Sequence, residues 1–267
     1  MIRFDCNGIS AGSLASSGQL EAAADFFIRE GYVVLDHVLP QETVASLHHA
    51  FEVDYAPFLR DAGSGPALRV SARRHMIALR FAGAFADPVV FANPFVLAVV
   101  RKLLEPTAIL EAYGCILSLP GAGAQHEHHD GPHLFGSRLS ALLPPYALTF
   151  ALPLVEMDES QGSTMLLPGS HRWQDRRADA VPLLPVVPRG SCVLWDFRLR
   201  HYGTENRAAT PRPLLYGTYA RPWYRDPVNF SETRALERLD LPVGFVESLP
   251  EDIRGLLAHA DAAGPHA

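Results

Sequence analysis

The sequence is short of almost everything that would make it a nucleic-acid binder, a membrane protein or a disulfide-stapled domain. It has one lysine, Lys102, and 23 basic residues against 29 acidic ones, for a net charge of -6. A chain that grips a polyphosphate presents a basic face, so a nucleic-acid partner is not expected. Its longest apolar stretch, Val89 to Val100, is too short to span a bilayer and is interrupted by Asn93 and Pro94. No membrane association is expected. The three cysteines, Cys6, Cys115 and Cys192, are odd in number and scattered. They form no disulfide framework, and a reducing cytoplasm is the expected compartment. The first residues carry no charged-then-apolar signal pattern, and the last match no address or lipidation motif. Internal repeats and low-complexity linkers are also missing, and nothing specifies an oligomeric state.

What is present is enough apolar material for one sizeable core: 48% of 267 residues are hydrophobic. The first hundred residues read mainly as helical. Gln19 to Glu30 has apolar residues at helical spacing, with Phe26 and Phe27 on its inner face and Gly31 ending it. Tyr32 to Leu35 is a short β-branched strand. Gln41 to Phe51 is a second helix entered after Pro40, and Phe91 to Leu104 a third.

After Pro106 the pattern changes to short strands: Ile109 to Leu119, Ala147 to Val155, Ser163 to Leu167, Ser191 to Asp196 and Leu214 to Ala220. Pro and Gly punctuate them, and no long helix intervenes, so a sandwich or jelly roll is predicted. The expected organisation is one domain over 1–267. It comprises a helical part to about 105, a β core over about 106–225, and a helical tail over about 226–267 with Ser231 as an N-cap.

The densest chemistry is Gln125-His126-Glu127-His128-His129-Asp130. On an extended segment His128 and Asp130, two apart, face one side, and His129 faces the other. An imidazole and a carboxylate side by side can take adjacent positions on one metal. His201, after the strand ending at Asp196, is the leading third ligand. Two His and one carboxylate on one face form the facial triad of non-haem Fe(II) oxygenases. His-x-Asp alone is a weak motif, and a lone His201 is more often structural. Arg212 follows a turn at Pro211, and its rigid guanidinium fork suits a bidentate grip on a carboxylate. Arg198, Arg200, Arg207 and Arg221 are equally available as surface charge, or in part as anchors for an acidic substrate. Trp195, Phe135, Tyr146 and Trp223 are aromatic candidates for a pocket wall. The stretches Asp130 to Pro145 and Tyr55 to Pro88 are candidate lids.

Taken together, three blocks resemble the phytanoyl-CoA dioxygenase family of Fe(II)/2-oxoglutarate oxygenases. They are Gln125-x-x-His128-x-Asp130, Gly162-x-Thr164 leading to Pro168-Gly169-Ser170-His171, and His201-x-Gly203 with Asn206 and Arg212. The opening Phe27-x-x-x-Gly31-Tyr32-Val33-Val34-Leu35 is similar too, so the resemblance spans roughly residues 20 to 225. It implies a double-stranded β-helix, a cupin-like jelly roll with flanking helices and a metal at its mouth. It implies iron held by His128, Asp130 and His201, and the far carboxylate of 2-oxoglutarate held by Arg212 with Gln125 and Thr164 assisting. It further implies O₂ as cosubstrate and a small organic molecule as substrate. Because Asp130 fills the position that chloride takes in related halogenases, hydroxylation or another C–H oxidation is expected. Two rivals remain open: a zinc hydrolase or isomerase on a cupin-like barrel, and a non-catalytic binding protein of the same fold. A hydrolase needs no dicarboxylate clamp, and a binder would be expected to have lost a ligand or the clamp.

Overall fold

The structure, a computed structural model, describes residues 3–16, 18–60, 67–230 and 237–260. Chain order is β1 (Arg3–Asp5), α1 (Ala11–Ser16), α2 (Gln19–Glu30), β2 (Tyr32–Asp36), α3 (Gln41–Asp54), α4 (Ala56–Arg60), β3 (Ala67–Ser71), β4 (Arg74–Ala78), α5 (Pro88–Phe91) and α6 (Pro94–Leu103). Then come β5 (Ile109–Ser118), α7 (Ser137–Ser140), β6 (Ala147–Pro153), β7 (Thr164–Leu166), β8 (Cys192–Asp196), β9 (His201–Gly203) and β10 (Arg212–Ala220), with the one-turn helices α8 (Phe245–Ser248) and α9 (Glu251–Arg254) last. Among the described residues no helix is long and apolar enough to cross a membrane.

Eight strands form one sheet in the order β1-β2-β8-β6-β10-β5-β4-β3, and β7 pairs with β9 in a second, small sheet. All pairings are antiparallel except β1 with β2. The result is the expected jelly-roll architecture with flanking helices, its second layer reduced to short strands and single bridges at His128–His201 and Leu166–Leu183.

Strand alternation divides the large sheet into two faces with different work. Leu215 and Tyr219 of β10, with Leu148, Phe150, Leu152, Leu117, Val33 and Leu35, join the helices in one core. Phe27, Val44, Leu47, Phe51, Val99 and Val100 enter it from α2, α3 and α6, each fully buried. Removing each such side chain from water contributes about 1.5–3 kcal/mol. This makes the helices a rigid backing, and the opposite face is left to line a cavity. There Arg212, Leu214, Tyr216 and Thr218 of β10 alternate inward.

Three sequence expectations need correction. The third helix is two helices, because Asn93 precedes Pro94. Proline disfavours helical backbone at the residue before it, and the Asn93 side chain instead caps α6, accepting from the Phe95 and Val96 amides at 3.1 and 3.2 Å. The first hundred residues also supply four strands; β3 and β4 of the Tyr55–Pro88 stretch fold as a hairpin onto β5. The tail is helical only in short pieces among the described residues, since Pro242, Gly244 and Pro250 interrupt it. Ser231, the expected N-cap, lies outside the described residues.

Candidate functional site

His128 and His201 face each other as an antiparallel pair, exchanging amide–carbonyl bonds of 3.0 and 2.8 Å. Directly opposed residues project to the same side, so the two rings meet with centroids 4.5 Å apart. Each Nδ1 lies 2.9 Å from a backbone carbonyl, that of His126 for His128 and that of Leu199 for His201. A carbonyl only accepts, so both Nδ1 atoms carry the hydrogen and both Nε2 lone pairs are left for the site. Asp130, two residues beyond His128, adds its carboxylate: Oδ1 lies 3.4 Å from His201 Nε2. The other oxygen, Oδ2, accepts from Thr149 Oγ1 and Trp195 Nε1, both at 2.9 Å. The ligand atoms of His128, Asp130 and His201 lie within 4.8 Å of one another. The structure thus brings together the three residues expected to converge.

Burial pushes the Asp130 carboxyl up, but His201 and His128 beside it outweigh this and hold it well below the usual carboxylate range. Burial pushes His201 down, and Asp130 more than restores it, leaving it above its ordinary value. His128 is lowered by burial and by the neighbouring His201. An ionised carboxylate and two oriented imidazoles are the donor set a divalent first-row metal takes.

Cross-strand register sorts the cavity wall into rows. One row is Arg74–Ser118–Arg212 across β4, β5 and β10. The next is Leu68–Met76–Ile116–Leu214, then Ala78–Gly114–Tyr216–Ala151. The last is Ala112–Thr218–Thr149–Trp195, from which Asp130 hangs.

The first row is electrostatically unusual. Arg212 is 2% exposed and Arg74 fully buried. Their guanidiniums share one hydroxyl, Ser118 Oγ, at 3.1 and 2.8 Å. Arg212 otherwise donates to the Gln161 carbonyl at 2.8 Å, and its Nε is buried with no partner. Arg74 donates to the Gly203 and Thr204 carbonyls. Among the described residues no carboxylate pairs with either. Burial, with Arg74 adding repulsion, pushes Arg212 down to about 9, and burial pushes Arg74 down to about 10. Buried charges are ordinarily paired, so these two guanidiniums are an exception among the described residues.

Thr164 on β7 and Gln125 both line the same cavity of about 570 Å³. Gln125 Oε1 is already engaged, accepting from the Gly203 amide at 2.8 Å. Two motif glycines are explained by close approach. A Cβ on Gly203 would lie 2.5 Å from Gln125 Oε1 and 2.9 Å from Arg74 Nη1; one on Gly162, where φ is +72°, would lie 2.8 Å from Arg212 Nη1.

Other candidates fall away from the site. Of the four aromatics, Trp195 alone lines the cavity. Phe135 and Trp223 are 77% and 61% exposed, and Tyr146 is buried, donating to the Pro132 carbonyl. Arg198 is locked in a buried pair with Asp196, Arg221 binds the Pro145 carbonyl, and Arg200 pairs with Glu127. His129 also lines the cavity but is outside the ligand cluster, its ring set edge-on to His133. Arg74, Ser118, Thr149 and Tyr216 are the site residues that sequence reading missed. None sits in a recognisable motif; only strand register reveals that they face inward.

The profile of the family described as phytanoyl-CoA dioxygenase (PhyH) matches residues 27–214. The dioxygenase olcK of Penicillium canescens is 25% identical over 262 residues, covering 90% of this chain and 80% of that protein. The dioxygenase trt7 of Aspergillus terreus is 33% identical over 107 residues, 39% of this chain and only 37% of that one. Among solved structures, AviO1 from Streptomyces viridochromogenes Tue57 superposes with a TM-score of 0.60 at 20% identity, over 76% of this chain and 95% of its own. The non-haem α-ketoglutarate-dependent epimerase SnoN from nogalamycin biosynthesis gives 0.59 at 19%, over 85% and 97%. These likenesses establish the shared fold. The family profile covers well over half of the sequence, and the chain belongs to the phytanoyl-CoA dioxygenase family.

Proposed function

We propose that this protein is a mononuclear non-haem iron dioxygenase that consumes 2-oxoglutarate and O₂ and hydroxylates a C–H bond of a small molecule. The carrying observation is the Arg74–Ser118–Arg212 row, two buried guanidiniums without an acid, in one cavity with His128, Asp130 and His201. A dicarboxylate answers both features: one end reaches a metal and the other satisfies the arginines. A zinc hydrolase or isomerase would use the same ligands but has no need of the arginine row.

In this reading His128, Asp130 and His201 hold Fe(II), which when bound supplies oxygen activation and C–H oxidation. The residues around it hold and orient. Thr149 and Trp195 fix Asp130 so that Oδ1 faces the two imidazoles. The His126 and Leu199 carbonyls hold both imidazoles in the Nδ1–H tautomer. Arg212 grips the far carboxylate through its unpartnered Nε and adjacent Nη, with Arg74 adding charge behind Ser118 and with Thr164 and Gln125 alongside. Asp130 occupies the place a halide would need, which favours hydroxylation.

The test is an anaerobic 2-oxoglutarate titration of the iron-loaded protein. Arg212→Lys keeps the charge but loses the planar fork, and affinity should fall by about 2–5 kcal/mol, tens- to thousands-fold, with iron binding retained. If Arg212→Ala binds 2-oxoglutarate as tightly as the parent, the assignment is wrong.

A further inference from the structure

Toward the β5–β4–β3 edge, the cavity changes character within two residues along each strand. Beside the arginine row lies Leu68–Met76–Ile116–Leu214, with every side chain apolar. Beyond it Tyr216 packs with Met76, Ala112 and Phe230, flanked by Leu68 and Ile116. The Tyr216 ring leans across its register partner Gly114: a Cβ there would lie 2.8 Å from the Tyr216 hydroxyl. Glycine at that position therefore makes room for the phenol on the cavity side. Among the described residues the Tyr216 hydroxyl has no hydrogen-bond partner. Tyr216 is 5% exposed and lines the cavity.

Among the described residues, the charged groups on this side are Arg69 at the rim and a locally satisfied Asp226. Arg69 lines the cavity, but its side chain belongs to an exposed position at the rim. Asp226 is 1% exposed, and its own loop uses both carboxylate oxygens: Oδ1 accepts from the Val228 and Asn229 amides, Oδ2 from Asn229 Nδ2. Asn229 Nδ2 also donates to the Asp130 carbonyl at 3.2 Å, tying the Val228–Phe230 wall to the metal-binding segment. Past that rim, a carboxylate, phosphate or ammonium against the Leu68–Met76–Ile116–Leu214 wall would be desolvated without a charged partner among the described residues. Apolar surface would be buried favourably, and a single oxygen function would find the phenol.

We propose that this side of the cavity takes the substrate, that the substrate is uncharged and mainly apolar where it enters, and that the Tyr216 hydroxyl hydrogen-bonds one of its oxygen atoms. This rests on the oxygenase reading only in calling the bound molecule a substrate. It makes Tyr216 a specificity-determining residue and Gly114 the position that lets it act.

The test uses Prodan, an uncharged naphthyl ketone whose emission reports its surroundings, and the naphthoic acid built on the same dimethylamino-substituted ring. Both are titrated with 2-oxoglutarate in excess, so that the arginine end is filled. Prodan should bind with blue-shifted emission, and the acid at least about tenfold more weakly. Tyr216→Phe should bind Prodan about five- to tenfold more weakly, the cost of one buried neutral hydrogen bond. Tyr219→Phe is the control. It sits on the same strand, but its hydroxyl donates to the Phe91 carbonyl on the helix side, and it should bind Prodan as the parent does. Failure of Prodan to bind, equal affinity for the acid, or parental affinity in Tyr216→Phe overturns the proposal. The ketone–acid comparison is made on the unaltered protein, so it stands whatever Tyr216→Phe does to folding. Probe binding is read without turnover. A failure here therefore leaves the 2-oxoglutarate titration untouched, and a failure of that titration would be seen separately.

Discussion

Trp195 shows how much one side chain does here. Its indole N–H donates to Asp130 Oδ2 at 2.9 Å, and its ring lies 5.1 Å from that of His201, so it touches two of the three proposed ligands. The hydrogen bond turns the other oxygen, Oδ1, toward the imidazoles. Trp195→Phe keeps most of the packing and removes the donor. Loss of such an outer partner typically lowers metal affinity about 10–100-fold, and that drop is expected in a metal titration while the circular dichroism spectrum stays parental. An unchanged affinity would mean that Thr149 alone orients Asp130. The contrast between Trp195 and Arg74 also shows what could be read at this scale. His128 and Asp130 were legible because a two-residue alternation sets them on one face, and His201 because of its motif. Trp195 could be named as a wall residue but not as a donor to Asp130. Arg74 could not be found at all: it lies in Arg73-Arg74-His75, and which of the three faces the cavity depends on pairing with β5, some forty residues on.

At the scale of elements, the junction between α2 and β2 carries the strictest demand. Gly31 ends α2 with φ +81°, and its amide bonds the Phe27 carbonyl at 2.6 Å. A Cβ would lie 2.4 Å from His171 Nδ1 and 2.7 Å from Leu199 Cδ1. His171 is there because its Nε2 meets the Ile28 carbonyl at 3.1 Å, while Ser170 Oγ accepts from the Arg200 amide at 2.8 Å. The Pro168-Gly169-Ser170-His171 motif is thus a clasp between α2 and the strand that delivers His201. Gly31→Ala combines left-handed strain with overpacking and should cost about 2–4 kcal/mol, read as a lowered denaturant midpoint. A loss under half a kcal/mol would show that the clasp yields. Elements with strong periodicity and clear punctuation, such as α2 and β5, were legible to within a residue or two. The three-residue strand β9 was not. His201-Tyr202-Gly203 has no alternating pattern, and its extended form comes from β7 and the 125–128 segment on either side.

For the molecule as a whole, the site is a gap in the electrostatic bookkeeping of an otherwise closed fold. Elsewhere buried charge is answered locally: Asp196 pairs with Arg198 at 2.8 Å, and Glu111 with Arg238 at 2.7 Å. Among the described residues, Arg74 and Arg212 alone of the deeply buried arginines have no acid. They sit on β4 and β10, bridged through β5, and bond the carbonyls of Gly203, Thr204 and Gln161, so both layers of the jelly roll meet at this one cationic row. The folded state bears the desolvation of two guanidiniums that the unfolded chain leaves in water. A dicarboxylate that pairs with them binds only the folded state and must raise its stability by RT ln(1 + [L]/Kd), about 2.7 kcal/mol at a hundredfold excess over Kd. Melting the metal-loaded protein under anaerobic conditions against rising 2-oxoglutarate should therefore give a concentration-dependent increase in Tm. Succinate, shorter and lacking the keto oxygen, should give a smaller one. Arg212→Met removes one unpaired charge and the fork together, and its Tm should respond weakly to 2-oxoglutarate at the same concentrations. A variant that is stabilised as strongly as the parent would place the dicarboxylate elsewhere and overturn the role proposed for Arg74 and Arg212.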